Sequence, residues 1–305
     1  MKTIALVGNP NSGKTTIFNA LTGTNQHVGN WPGVTVEKKE GSIVYEKEQY
    51  SIIDLPGTYS LGAYSEDELV ARDFILTGNH DIIINVLDAT NLERNLYLTT
   101  QLMEMDAKVV IALNMTDEAE KRHIKIDYNR LSQEMGIPVI PTIASKSKGV
   151  DNLIQATVDA IDKDYEKRII SYGKELDEVI YLLKDRIDQS QANYKYPSQW
   201  LAIKLLENDE KVMEILRENG DAETLSDMQE KIRGSMTTFG GATDGVGDGL
   251  EPEMVIIDKR YEFASKVIKK SVTKPEQDIE TTTDKIDRII THKYWGIPIF
   301  AAIMF

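Results

Sequence analysis

Eight residues near the N-terminus have the types and spacing of a phosphate-binding loop. They are Gly8, Asn9, Pro10, Asn11, Ser12, Gly13, Lys14 and Thr15. They follow a short apolar run and precede a helical pattern, so successive backbone N–H groups and a helix N-terminus can surround phosphate oxygens. In such a loop the lysine reaches the β- and γ-phosphates and the hydroxyl binds Mg²⁺. We therefore expect all eight residues to bind a nucleoside triphosphate, with Lys14 in a catalytic role and Thr15 as a metal ligand.

Two later segments, each at the end of a predicted strand, could complete a nucleotide site. They are Asp54-Leu55-Pro56-Gly57 and Asn114-Met115-Thr116-Asp117. In the first, we expect the Asp54 carboxylate to hold Mg²⁺ and the backbone N–H of Gly57 to meet the γ-phosphate and act in catalysis. In the second, the Asp117 carboxylate can accept hydrogen bonds from both N1–H and the exocyclic amine of guanine. Adenine offers no such pair of donors, so Asp117 predicts binding of GTP rather than ATP.

A loop with two glycines and one proline, residues 28–37, lies between the first predicted helix and the second predicted strand. It suits a segment that becomes ordered around the γ-phosphate and Mg²⁺. Thr35 carries the hydroxyl nearest to that strand, and we assign it to Mg²⁺ and to catalysis. The expected nucleotide-binding residues of this loop are Gly33, Val34, Thr35, Val36 and Glu37. For Trp31, a functional role and simple packing on the domain surface both stay open.

The elements that must position these motifs alternate through the first 165 residues. Runs rich in β-branched residues predict six strands, at Thr3–Val7, Glu37–Tyr45, Tyr50–Leu55, Ile82–Leu87, Val109–Asn114 and Val139–Ile143. Helical patterns lie near Lys14–Thr22, Glu66–Thr77, Leu92–Met105, Tyr128–Met135 and Val150–Tyr165. This alternation predicts an α/β fold with a mostly parallel six-stranded sheet, in which a hairpin turn at residues 46–48 reverses one strand.

After about Arg168 the strand patterns stop, and apolar residues at helical spacing predict an all-α region. We predict a nucleotide-binding domain over residues 1–168 and a helical domain over 169–273, with a flexible glycine-rich loop at 239–252. Residues 274–294 are polar and predict a linker. Residues 295–305 are apolar and uncharged, and they predict either a C-terminal helix or the truncated start of a membrane helix, because a full span needs about 20 residues.

The composition excludes several other classes of function. The 305 residues include no cysteine, which excludes disulfides, zinc–thiolate sites and thiol nucleophiles. The formal net charge of −14 disfavours binding to the phosphate backbone of nucleic acids. The four histidines are scattered without metal-ligand spacing, so we expect no metal centre built on them.

In their order, the motifs resemble the small-GTPase superfamily, which implies Mg²⁺-dependent hydrolysis of GTP to GDP and phosphate. Met115 stands where most members have the lysine of Asn-Lys-x-Asp, and Thr58 stands where Ras-like enzymes have a water-orienting glutamine. In members whose loop contains Pro-Asn, that asparagine ligates K⁺, so the resemblance assigns K⁺ and a catalytic role to Asn11. It also implies slow, K⁺-stimulated turnover. The fifth motif reads Thr142-Ile143-Ala144 and implies a backbone contact to guanine O6.

A narrower resemblance, to the ferrous iron transport protein B family, rests on the segments GNPNSGKTT, VGNWPGVTVE, DLPGTYSL, DATNLERNLYLTTQL and LNMTD. It implies a GTPase domain and a helical regulatory domain on the cytoplasmic side of the cell membrane, coupled to a Fe²⁺-transporting membrane domain beyond Phe305. The partners it implies are GTP or GDP, that membrane domain, a second copy of the chain and a small cytosolic accessory protein, but no nucleic acid. Two alternatives are a soluble GTPase of ribosome assembly or tRNA modification, and a scaffold that binds GTP without turnover.

Overall fold

The computed structural model describes residues 1–62, 65–163, 168–190, 194, 196–218, 251–275 and 298. The described residues up to 163 form a sheet with helices on both faces, and those from 168 to 275 are mainly helical. Alternating apolar strands and helices lead to this arrangement, since each parallel strand needs a helical crossover to the next. The predicted α/β fold class and the helical region that follows it are confirmed.

The strands of the described residues are β1 Lys2–Gly8, β2 Gln26–Asn30, β3 Glu37–Tyr45, β4 Glu48–Asp54, β5 Ile82–Asp88, β6 Val109–Asn114, β7 Lys125–Ile126, β8 Val139–Pro141 and β9 Val272–Thr273. Seven of them form one sheet in the order β2-β3-β4-β1-β5-β6-β8. In that sheet β3 is antiparallel to both of its neighbours, and the other pairings are parallel. The prediction of one reversed strand is therefore confirmed.

The predicted count of six strands was wrong, because the sheet has a seventh strand, β2. All five residues of β2 are exposed, so it lacks the buried alternation by which a strand is found in a sequence. It is an edge strand held by backbone pairing with β3, in which Gln26 pairs with Gly41 and Asn30 with Glu37. Backbone pairing alone gives no side-chain pattern in the sequence.

The turn between β3 and β4 is a two-residue turn at Glu46 and Lys47, and Glu48 already belongs to β4. Both turn residues have positive φ, 50° and 70°. Two consecutive positive-φ residues are typical of the turn type whose twist matches that of a β-hairpin. The hairpin predicted at residues 46–48 is therefore present, one residue shorter.

The helices are α1 Lys14–Thr22, α2 Glu66–Leu76, α3 Leu92–Glu104, α4 Thr116–Lys121, α5 Tyr128–Met135, α6 Val150–Ile161, α7 Lys174–Gln189, α8 Ser198–Leu206, α9 Glu210–Glu218 and α10 Pro252–Ser271. The five helices predicted within the first 165 residues are confirmed within four residues at each end. The six-residue α4 is too short to give a helical period and was not predicted.

The central strands separate two apolar cores. Strands β1, β5 and β6 are buried along nearly their whole length, as is typical of parallel strands covered on both faces. Successive residues point to opposite faces, so Ala5 and Val7 enter one core while Ile4 and Leu6 enter the other. The second core is closed by α1 and α6, and the first by α2, α3, α5 and the helical region. The phosphate-binding loop thus emerges from a strand fixed on both sides.

The helical region shares the first core with the sheet half and is also joined to it by polar contacts. Strand β9 pairs with β7, and the Asp127 backbone N–H donates to the Ser271 carbonyl oxygen at 2.8 Å. Lys270 Nζ lies 2.8 Å from a carboxylate oxygen of Glu134. Helix α10 packs against both α3 and α5. These contacts fix the described part of the helical region against the nucleotide-binding half.

A buried ion-pair network lies at the centre of this contact. The Arg260 guanidinium of α10, 1% exposed, donates to both carboxylate oxygens of Glu104 on α3, at 2.7 and 2.8 Å. It also donates to Glu207, which Lys204 pairs at 2.6 Å. The Tyr172 hydroxyl donates to Glu104, and burial raises the pKa of Tyr172 well above its ordinary value, so this hydroxyl remains a donor. The network joins one helix of the sheet half to three segments of the helical region.

Several predicted segments lie outside the described residues. They are residues 239–250 of the glycine-rich loop, all of the linker beyond 275, and the apolar run except Pro298. Pro252, the last residue of the predicted loop, instead begins α10, where proline suits the first helical position because its missing N–H costs no hydrogen bond. In the part of the chain that the structure describes, no helix has the length and apolar character of a membrane span.

Candidate functional site

The phosphate-binding loop connects β1 to α1, and two of its glycines have no room for a side chain. A Cβ at Gly8 would lie 2.6 Å from the Val86 carbonyl oxygen of β5. Gly13 precedes α1 with φ 85°, and a Cβ there would lie 2.2 Å from the Asn114 side-chain nitrogen. The loop backbone therefore lies directly against β5 and β6, which only glycine at these positions permits.

The Asn114 side chain joins three loops at one edge of the sheet. Its Nδ2 donates to the Ser12 carbonyl oxygen at 3.0 Å. Its Oδ1 accepts from the Ala144 backbone N–H at 3.0 Å and from the Thr142 hydroxyl at 3.4 Å. The asparagine is 3% exposed, so these hydrogen bonds are shielded from water. The phosphate-binding loop, the end of β6 and the fifth motif are thereby held in one fixed arrangement.

Lys14 and Asp54 meet where the phosphate-binding loop faces the end of β4. Leu6 pairs with Asp54 across β1 and β4, which brings the two segments together. The Lys14 ammonium donates to Asp54 Oδ1, and their side chains are only 10% and 6% exposed. Each is the charge expected to bind an ionic ligand, Lys14 the phosphates and Asp54 Mg²⁺. The structure brings together the two groups that this chemistry needs.

The interior of the loop suits a polyanion with a hard cation. Asn9 is 2% exposed and Ser12 is 1% exposed. Among the described residues, neither amide atom of Asn9 nor the Ser12 hydroxyl has a hydrogen-bond partner. Buried polar groups are normally paired, so unpaired ones in a loop point to a polar ligand. Thr15, exposed beside Lys14, and Asp54 supply the oxygen donors that Mg²⁺ prefers.

The segment after Asp54 folds back on the phosphate-binding loop. A Cβ at Gly57 would lie 3.6 Å from Pro10 Cα, and the Thr58 N–H donates to the Gly8 carbonyl oxygen at 3.2 Å. Thr58 is 3% exposed, and its hydroxyl donates to the Ser60 carbonyl oxygen at 2.5 Å. The Thr58 hydroxyl is therefore already engaged, and it does not take the place of a water-orienting glutamine.

Asp117 has a partner that sequence reasoning missed. Lys146 Nζ lies 2.7 Å from Asp117 Oδ2, and this hydrogen bond is the main reason that the pKa of Asp117 lies below its ordinary value. The carboxyl group is therefore an ionised acceptor at neutral pH, as guanine recognition requires. Lys146 stands two residues after Ala144, where the predicted fifth motif ends. Its positive charge so close to that motif is the sequence signal that indicates it.

The loop predicted at residues 28–37 to become ordered around the γ-phosphate contains the turn of a hairpin. Gly33, Val34, Thr35 and Val36 lie in the turn between β2 and β3, and Glu37 begins β3. Lys39 is the β3 residue that pairs with Asp54, so Thr35 lies four residues beyond that pair, and it is exposed. The structure thus gathers the other predicted site segments at one edge of the sheet and leaves Thr35 exposed in the turn at the end of the hairpin.

Trp31, at the base of this turn, packs on α2. Its ring meets the Phe74 ring edge-on, with centroids 5.5 Å apart, and the Lys38 ammonium lies 4.9 Å from the centroid of the Trp31 ring. The backbone N–H of Trp31 donates to the Val36 carbonyl oxygen at 2.9 Å, which closes the turn. Of the two interpretations left open for Trp31, packing on the domain surface is what the structure shows.

The geometry defines the class of the protein. A phosphate-binding loop between a parallel strand and a helix, with Asp54 at the end of β4 and Asp117 just after β6, defines a P-loop GTPase-like G domain. The chain belongs to the ferrous iron transport protein B family. Residues 2–157 match the family model of that description, and residues 172–273 match the model described as the FeoB cytosolic helical domain.

Curated relatives agree with this assignment. The chain is 40% identical over 99% of its length to the Fe(2+) transport protein A/Fe(2+) transporter FeoB fusion protein of Porphyromonas gingivalis, and it spans 36% of that protein. It is 37% identical over its whole length to the Fe(2+) transporter FeoB of Staphylococcus aureus, of which it spans 44%. The chain therefore spans less than half the length of these relatives.

Solved structures of similar proteins cover both halves of the fold. The cytosolic domain of the T. maritima FeoB iron transporter in apo form is 34% identical, with a TM-score of 0.74, over 90% of this chain and all of that one. The same domain in GMPPNP form gives a TM-score of 0.73 over the same shares. The cytosolic domain of L. pneumophila FeoB is also 34% identical, with a TM-score of 0.75.

Proposed function

We propose that this chain is the GTP-binding and GTP-hydrolysing cytosolic region of a ferrous iron transporter. The observation that carries the proposal is the Asn114 side chain, which holds the phosphate-binding loop and the fifth motif together beside Asp117. One end of the resulting site offers backbone N–H groups and Lys14 to phosphates, and the other offers a carboxylate to a guanine edge. Family membership and the solved structure of a relative in GMPPNP form support the same proposal.

The proposed contacts of the predicted site residues are to the phosphates, to Mg²⁺ and to the guanine base. Lys14 and the backbone N–H groups of the phosphate-binding loop, in which Pro10 has none, bind the phosphates, and the Gly57 N–H donates to the γ-phosphate. Thr15, Thr35 and Asp54 are the residues that would hold Mg²⁺. When bound, Mg²⁺ neutralises charge on the β- and γ-phosphates. The fifth motif contacts guanine O6 through its backbone.

Nucleotide selectivity tests this proposal directly. Because adenine cannot give Asp117 a pair of donors, we expect adenine nucleotides to bind about 10²-fold or more weakly than guanine nucleotides. We also expect Mg²⁺-dependent release of phosphate from GTP. Isothermal titration with GDP and ADP, together with a phosphate-release assay, measures both. Equal binding of the two would contradict the proposal, and GTP binding without phosphate release would favour the scaffold alternative. The family assignment disfavours the ribosome-assembly or tRNA-modification alternative, which a gel shift with ribosomal RNA would test.

A second prediction concerns K⁺. Asn11 is exposed in the phosphate-binding loop with φ 66°, a conformation that asparagine tolerates better than most residues. We propose that its exposed amide oxygen ligates the cation. We expect slow hydrolysis that is about tenfold or more faster in K⁺ than in Na⁺, because a positive charge there stabilises the transition state.

Phosphate release in the two chlorides, for wild type and Asn11→Ala, checks this prediction. The variant is expected to lose the difference between the salts. Its GDP affinity, measured in both salts, shows whether the variant still forms the site. Equal rates in K⁺ and Na⁺ for the wild type would disprove the assignment.

We further propose how the chain is organised within the transporter. The G domain covers residues 1–168, the helical domain 169–273 and the linker 274–294, and the first membrane span begins within 295–305. This region then lies on the cytoplasmic side of the cell membrane, next to its own Fe²⁺-transporting domain. A second copy and a small accessory protein are further partners. Support comes from the two curated relatives, which are named as Fe(2+) transporters and of which the chain spans less than half the length.

A further inference from the structure

The loop that carries Lys146 is locked in shape from both sides. Ile143 and Lys148 exchange two backbone hydrogen bonds, at 2.9 and 3.2 Å, and these close the loop at its base. Gly149 has φ 80°, and a Cβ there would lie 2.3 Å from the Pro141 carbonyl oxygen. The Ala144 N–H is held by Asn114. The backbone of Lys146, which donates its N–H to Ile143 at 2.9 Å, is therefore fixed relative to Asp117.

The segment Asn114–Asp117, which is predicted to bind the base, lacks the lysine that most members of the small-GTPase superfamily carry in it. Met115 stands in the lysine position, and its Cε lies 3.5 Å from the Cβ position of Gly13, so its side chain packs on the phosphate-binding loop. A cation nevertheless reaches the carboxylate, because Lys146 approaches Asp117 from the neighbouring loop. The Asp117 side chain is 20% exposed, and the contact uses only one of its two oxygens.

We propose that Lys146 is a positioning residue for guanine recognition. From the loop between Ile143 and Lys148, it holds the Asp117 carboxylate in place. This inference rests on the proposed GTP site and adds a residue to it. A carboxylate has about four acceptor positions, so one oxygen can accept from Lys146 while both still face the N1–H and amine of guanine. Lys146 is mostly exposed, so its contribution is modest, about two- to fivefold in GDP affinity.

The electrostatic surroundings of Asp117 give the sign of the pH dependence. Lys146 faces the carboxylate from the loop between Ile143 and Lys148. Lys121 faces it from α4 and is itself paired with Glu118. A protonated Asp117 cannot accept both guanine hydrogens, so GDP binding weakens as the pH falls through its pKa. Because Lys146 lowers that pKa, its removal moves the loss of binding to higher pH.

The test compares GDP affinity, by isothermal titration, for wild type, Lys146→Ala, Lys146→Arg and Lys148→Ala. We expect Lys146→Ala to bind GDP about two- to fivefold more weakly, with the largest deficit at the acid end of a series from pH 7.5 to 4.5. Lys146→Arg should restore binding. Lys148 is exposed on the same loop, and its pairing with Ile143 is through the backbone, so Lys148→Ala removes an equal charge and should have no effect.

A second arm separates positioning of Asp117 from support of the loop. Xanthine has a carbonyl where guanine has its amine, so an asparagine at position 117 can pair with it. If Lys146 acts through the carboxylate, Lys146→Ala in an Asp117→Asn background should leave XDP affinity unchanged. Equal losses for GDP and XDP would show a structural role and overturn the inference, as would unchanged or tighter GDP binding by Lys146→Ala. Failure of the wild type to bind GDP would instead overturn the proposed function.

Discussion

Asp117→Asn is expected to weaken GDP binding by about 10²- to 10⁴-fold and to create binding of XDP. Guanine loses two hydrogen bonds to a charged acceptor, each worth about 1.5–3 kcal/mol. The asparagine amide instead offers one acceptor to N1–H and one donor to the xanthine carbonyl. Because Asp117 lies in the first turn of α4, outside the buried core, the change should leave the fold intact. Isothermal titration of both nucleotides measures the reversal.

Glu118→Gln is the matched control for this reversal. Glu118 is the next residue of α4, and it pairs with Lys121 at 2.6 Å, so the variant loses the same charge from the same helix turn. We expect its GDP affinity to stay within about twofold of the wild type, since exposed ion pairs contribute little. Unaltered GDP binding by Asp117→Asn would show that this carboxylate does not read the base.

The parts of the site that the sequence predicted are those encoded by local pattern. The phosphate-binding loop lies between β1 and α1 because an apolar run and a helical period flank it. Asp54 and Asn114 are each the last residue of a strand that the residue types predict. Parallel strands bring their carboxyl ends to one edge of the sheet, so the meeting of these segments follows from the fold class.

The rest depends on contacts that have no local pattern. Strand β2 is specified by backbone pairing, so neither it nor the exposed position of Thr35 at the hairpin end could be deduced. Lys146 and Asp117 are 29 residues apart in sequence, and Arg260 and Glu104 are 156 apart. Only the folded chain shows which of its many charged residues meet. In the sequence, each of them looks like a charged residue on a solvent-exposed helix face.

The buried network around Arg260 also lies on a path from the nucleotide site to the helical region. The Leu61 N–H, seven residues after Asp54, donates to the Gln101 side chain on α3 at 2.8 Å. Glu104, one helical turn further along α3, binds Arg260. Beside this path, Arg72 of α2 pairs with Asp209 at 2.8 Å. The segment after Asp54 and the helical region are therefore both hydrogen-bonded to the same helix, α3.

Arg260→Met is expected to lower the free energy of unfolding by about 3–5 kcal/mol at pH 7, because it leaves the buried Glu104 carboxylate without its cation and Glu207 with Lys204 alone. Burial would raise the pKa of Glu207, but Arg260 and Lys204 hold it below its ordinary value, so the wild type loses this stabilisation as the pH falls. In the variant, only Lys204 opposes the effect of burial on the pKa of Glu207, so the variant has less of this stabilisation to lose as the pH falls. The deficit measured by urea denaturation should therefore be smaller at pH 5 than at pH 7.

Lys259→Met on the same helix separates this network from a general effect of removing a cation from α10. Lys259 pairs with Glu262 at 2.7 Å, but both side chains are more than a third exposed, so the loss should stay below about 1 kcal/mol. If the two variants were destabilised equally, or if the Arg260→Met deficit grew toward pH 5, the buried carboxylates would not be its cause. The GDP release rate of Arg260→Met then measures how far this contact, and not stability alone, links the helical region to the nucleotide.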